Sequence, residues 1–187
     1  MKALFLTFVC LLFAAGSAWG QGGSIGIFRD VSGQCCLLDD NTTGLTSYFV
    51  VHVNTVGATA SRYWAPKPPC FLGAMFLSDT NLFPVTIGNS QIGVSIGYGA
   101  CRVGPIHVQT MNFFTMGMTP PCCYYPVQPD PAASSGWVEV VDCNYQLTYG
   151  NGGIGIINGA PQCDCGYPCP VPVEETTWGE VKSLYSD

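Results

Sequence analysis

The chain has little charge. Asp, Glu, Lys and Arg make up 10% of its 187 residues, against about 25% in ordinary globular proteins. Its cations, Lys2, Arg29, Arg62, Lys67, Arg102 and Lys182, are scattered. No basic patch exists to neutralise a phosphate backbone, which excludes nucleic acid as a partner. Histidine is nearly missing. His52 and His107 both fall in strand-like stretches, and neither is spaced to pair with a Ser or a carboxylate as a general base. Glutamate is confined to Glu139, Glu174, Glu175 and Glu180. Glu139 and Asp142, three apart on a strand, face opposite sides, so the paired carboxylates of glycoside hydrolysis are lacking. After the amino-terminal segment no apolar run reaches the ~18–20 residues of a membrane span. No strand–helix–strand rhythm supports a doubly wound α/β fold.

What is present points out of the cytoplasm. Met1–Gly20 reads as a signal peptide, with Lys2 at its positive end, Ala3–Ala15 as its apolar core and Ala18-Trp19-Gly20 as its cleavage site. Val9 before Cys10 does not suit lipoprotein processing. The chain has eleven cysteines. With Cys10 lost in the signal, Cys35, Cys36, Cys70, Cys101, Cys122, Cys123, Cys143, Cys163, Cys165 and Cys169 remain, enough for five bridges. The pairing is open, except that adjacent cysteines most simply take different partners. A metal site at Cys163-x-Cys165-x3-Cys169 is the rival reading, but it lacks a second knuckle or a histidine. The expected location is secreted or extracytoplasmic: periplasm, cell surface or medium.

The body of the chain is 48% hydrophobic, with 23 Gly and 14 Pro, a composition that opposes both disorder and long helices. Strands are expected at Ser24–Arg29, Leu45–Val53, Phe71–Leu77, Ile92–Tyr98, Ile106–Phe114 and Trp137–Val141, with Tyr145–Tyr149 pairing against the last. Leu45–Val53 is apolar on both faces, as a central strand would be. The expected fold is all-β: a disulfide-stapled antiparallel β-sandwich over 21–160, immunoglobulin-like in general shape. A Cys/Pro-rich connector over 161–172 and a short carboxyl-terminal helix over 173–187 follow. In that tail Thr177-Trp178-Gly179-Glu180 fits a capping box. Trp178, Val181 and Tyr185 share one helical face, with Leu184 beside them.

The tail Glu174–Tyr185 (EETTWGEVKSLY) resembles the TTWGxVKxLY ending of a group of uncharacterised exported bacterial proteins. Gly57–Ser61, Ile87–Gly99, Cys101 and Gly104–Val108 are similar to body segments of some of them. The resemblance implies export and surface sorting through the tail, by way of Trp178, Val181, Leu184 and Tyr185. It implies no chemistry.

Three further motifs carry a functional and a structural reading. Gly93-Val94-Ser95-Ile96-Gly97 matches the G-x-S-x-G of serine hydrolases, but its flanks continue a strand and no helix follows. Asp39–Gly44 resembles half a calcium loop, but the position for the bidentate Glu is Val50, so an Asx-rich turn is expected. Tyr48, Tyr63, Trp64, Tyr98, Tyr124, Tyr125 and Trp137 could supply a sugar- or protein-binding platform, although core packing accounts for most of them. These readings favour a secreted non-enzymatic structural or interaction module, with no cofactor or metal, that meets a protein or polysaccharide. A carbohydrate-binding module, or a small secreted hydrolase centred on Ser95 or His107, is the alternative.

Overall fold

A computed structural model describes residues 22–166 and Cys169. The expected signal peptide and tail helix, with Trp178, Val181, Leu184 and Tyr185, lie outside the described residues. Within these residues the chain forms strands and turns and no helix. The strands are β1 Ser24–Phe28, β2 Leu37–Leu38, β3 Thr43–Val53, β4 Ala58–Tyr63, β5 Met75–Asn81, β6 Val85–Asn89, β7 Gly93–Arg102, β8 Ile106–Met116, β9 Cys123–Pro126, β10 Val138–Asp142, β11 Leu147–Gly152 and β12 Ile154–Ile157. Nine of them form one continuous sheet, in the order β5-β8-β3-β1-β11-β10-β4-β7-β6, and β2-β12-β9 form a second. The large sheet folds over at the β1–β11 seam, so that β5-β8-β3-β1 faces β11-β10-β4-β7-β6. Bonds across the gap show the packing: Tyr63 Oη on β4 donates to Gln109 Oε1 on β8 at 2.8 Å, and the Tyr98 hydroxyl on β7 meets His52 Nδ1 on β3 at 3.2 Å.

Period-two patterning sets which side chains enter that gap. Val94, Ile96 and Tyr98 of β7, Val138 and Val140 of β10, Tyr48 and Val50 of β3, and Met111 and Phe113 of β8 are all buried in one core. Phe71, Phe113 and Tyr125 meet at its centre in tilted and edge-on contacts, with Phe71–Phe113 centroids 5.2 Å apart. Each such side chain contributes roughly 1.5–3 kcal/mol by leaving water. The central position of β3, between β1 and β8, matches its two apolar faces. Tyr48 and Val50 face the main core. Val51 and Val53 join Phe28 and Cys36 in a smaller cluster on the other side.

The structure departs from expectation in three ways. The strand expected at Phe71–Leu77, β5, begins only at Met75, because Phe71 plugs the core from a turn in which Gly73 has φ +69°. Pairing is not wholly antiparallel: β1–β11 and β12–β2 are short parallel contacts. Strands β2, β4, β6, β9 and β12 also form in stretches without a clear alternating signal.

The ten cysteines among the described residues are all bridged: Cys35–Cys169, Cys36–Cys165, Cys70–Cys123, Cys101–Cys143 and Cys122–Cys163. Adjacent cysteines take different partners, as expected. Three of the bridges anchor the 163–169 region to the sandwich. Gly57 must be a glycine, since a Cβ there would stand 2.5 Å from Cys143 Sγ.

Candidate functional site

The outward face of the β11-β10-β4-β7-β6 half carries a groove. Register aligns two rows across it. One runs Tyr149–Glu139–Arg62–Ser95–Ile87, the other Leu147–Val141–Ala60–Gly97–Val85. Their neighbours Val138, Val140, Ser61, Tyr63, Val94 and Ile96 point inward and are buried, so both rows face solvent. Small residues, Ala60, Ser95 and Gly97, make the floor. Val85 and Ile87 form one rim, and Val141 and Leu147 the other, around a volume of about 320 Å³. Ile87 is 73% exposed and Val85 58%.

One cation meets two carboxylates in the groove. Arg62 Nε donates to Asp130 Oδ2 at 2.7 Å, and its Nη1 lies 3.5 Å from Glu139 Oε2. The Asp130 hydrogen bond, with the two nearby carboxylates, raises the Arg62 pKa above its ordinary value. Asp130 is itself buried and accepts the Ala132 amide at 2.8 Å. The guanidinium charge is therefore already met by carboxylates.

The sequence-singled residues fall as follows. Ser95 lies inside β7, paired with β4 and β6 on either side. That geometry excludes the sharp strand-to-helix turn of a nucleophile elbow. The small residues of G-x-S-x-G instead form the groove floor. His52 is fully buried, with Nε2 2.6 Å from the Gly22 carbonyl oxygen. His107 sits on the opposite half, against Thr110 Oγ1 at 3.0 Å and edge-on to Phe49. These groups do not converge. The Asp39–Gly44 segment is a structural turn. Asp40 is buried and accepts the Gly117 and Thr119 amides and the Thr119 hydroxyl, while Asp39 pairs with Arg29 at 3.1 Å. Of the aromatic candidates, Tyr48, Tyr63, Tyr98 and Tyr125 belong to the core. Trp64 donates Nε1–H to the Gln91 carbonyl at 2.9 Å. Only Tyr124 and Trp137 of that set are exposed. Burial pushes the hydroxyls of Tyr48, Tyr63, Tyr98 and Tyr125 well above the normal phenol range.

The rim and floor residues on β4 and β6 escaped sequence reasoning. The available signal was the large–small alternation in Ile92–Tyr98: its large side was legible as core, and its small side is what leaves room outside.

Fold and site together define a disulfide-bonded β-sandwich with an apolar groove on one open sheet face. No family model and no curated protein matches this sequence. Among solved structures it is similar to the sixth cohesin of scaffoldin B from Acetivibrio cellulolyticus, solved in complex with a mutant dockerin. The identity is 9%, over 74% of this chain and 99% of that one, with a TM-score of 0.48. It is also similar to the third cohesin of ScaC from the same organism, solved in complex with a mutant ScaB dockerin. There the identity is 14%, over 72% and 97% of the two chains, with a TM-score of 0.41.

Proposed function

We propose that this protein is an extracytoplasmic, non-enzymatic interaction module that grips aliphatic side chains of a protein partner in the β4–β7 groove. The observation that carries the reading is the groove itself: a small-residue floor between exposed aliphatic rims, one of them on the edge strand β6. The apolar walls suit an aliphatic ridge, and the Arg62 guanidinium in the groove is already held by two carboxylates. The bridged cysteines support an oxidising location. The tail Glu174–Tyr185 is proposed to act separately, as a surface-sorting element.

Gly97 offers a clean test. Its φ is ordinary, and an added Cβ would meet Val85 Cβ at 3.4 Å, a normal contact. Gly97→Leu should fill the floor and leave the fold intact. A photoreactive phenylalanine analogue replacing Ile87 should, on cells of the native host, yield one covalent protein adduct that Gly97→Leu removes. The same probe at exposed Val56, in the turn between β3 and β4, should yield none. An adduct indifferent to Gly97→Leu, or equal at both positions, rejects the groove as the contact surface.

A further inference from the structure

The other half of the sandwich carries a second exposed apolar patch, and a modification motif stands at its margin. Leu45, Met75 and Met116 are exposed on the outer face of β3, β5 and β8, with Phe114 between them in register. Met118 lies alongside: a Cβ on Gly73 would be 3.1 Å from Met116 Cβ and 3.2 Å from Met118 Sδ. Asn41-Thr42-Thr43 has the form N-x-[ST], the acceptor signature for N-linked glycans in exported proteins. Alone among the chain's asparagines, Asn41 is followed two residues later by Ser or Thr. Asn41 and Thr43 are both exposed, and neither side chain makes a hydrogen bond among the described residues. Thr43 is the register partner of Met116 and lies two residues from Leu45 on the same outer face. The loop is held from behind, because Asp40 Oδ1 accepts the Gly117 amide at 3.1 Å. The acceptor amide therefore stands at a fixed point beside the patch.

We infer that Asn41 carries an N-linked oligosaccharide that covers the Leu45–Met116–Met118 patch. In the transfer, Asn41 Nδ2 forms a bond to the anomeric carbon of a lipid-diphosphate-linked oligosaccharide. The bond from that carbon to the phosphate oxygen breaks, its electron pair leaves with the lipid diphosphate, and the amide gives up one proton. The inference rests on export, which it shares with the interaction reading, and is otherwise independent of the groove.

The test is glycopeptide mass spectrometry of the full chain recovered from its native host. After reduction and trypsin, the 30–62 peptide should carry a sugar mass on Asn41. Thr43→Ser should keep it, Thr43→Ala should remove it, and Gly97→Leu should leave it unchanged. The glycan-free Thr43→Ala protein should self-associate on size exclusion where the glycosylated protein runs as a monomer. An unmodified Asn41 in exported native material overturns the inference, as does a sugar that survives Thr43→Ala. A monomeric Thr43→Ala protein overturns the covering role.

Discussion

His52 shows what one buried side chain does to the acid response of the whole. A carbonyl can only accept, so Nε2 carries the proton toward Gly22, and Nδ1 accepts from the Tyr98 hydroxyl. The neutral ring is thus fully used. Burial lowers the His52 pKa below its ordinary 6.5, against a smaller opposing effect from the Gly22 bond. Below that value the unfolded chain binds a proton that the folded one refuses, so stability falls as pH falls. Burial lowers His107 in the same direction. Asp79, raised by burial, works the other way, since its folded form binds protons more readily than the unfolded chain. Calorimetry should therefore show the melting temperature dropping from about pH 7 to about pH 5, with the slope reduced but not abolished in His52→Gln. An unchanged slope would remove His52 from the account. The sequence reading of His52 as a structural strand residue agrees with this geometry. Its tie to Gly22 could not be foreseen, because nothing in a pattern reports a partner 30 positions away.

At the scale of elements, the legible strands were those whose inward face is large and outward face small, such as β7, or apolar on both faces, such as β3. Strand β6 inverts the rule: Val85 and Ile87 face solvent at a sheet edge, so alternation carries no inward signal there. Strand β4, ATASRY, is too small and polar to advertise itself. Phe71 gives the sharpest contrast. Alternation placed it in a strand, but it enters the core from a turn, meeting Tyr48, Phe113 and Tyr125. Phe71→Ala should cost about 3–5 kcal/mol in denaturant unfolding, whereas Leu72→Ala, exposed one residue on, should stay within about 0.5 kcal/mol. Equal effects would mean that the turn is not a core element.

For the molecule as a whole, the sandwich was readable from strand spacing and turn chemistry, but the closing seam was not. The seam joins β1 to β11, segments that share no local pattern, and only the folded topology pairs them. The bridges have the same character: their number was countable, their partners were not. All five bridges use cysteines no later than Cys169. A chain lacking residues 174–187 therefore keeps every cross-link, and its melting temperature should equal that of the full chain if the tail serves sorting, while the protein's location in its native host changes. A large loss of stability with unchanged location would reject the sorting proposal.

The seam also sets an order in time. Strand β1 leaves the ribosome first, and its parallel partner β11 among the last. Cys35 waits for Cys169 across a separation of 134 residues, and Cys36 for Cys165 across 129. Until then one edge of β1 offers unpaired backbone to any passing strand. Closure of such distant pairings is intrinsically slow. The β1 edge therefore stays open until the far end of the chain has arrived, and the same topology that delays folding sets the moment at which the sandwich locks.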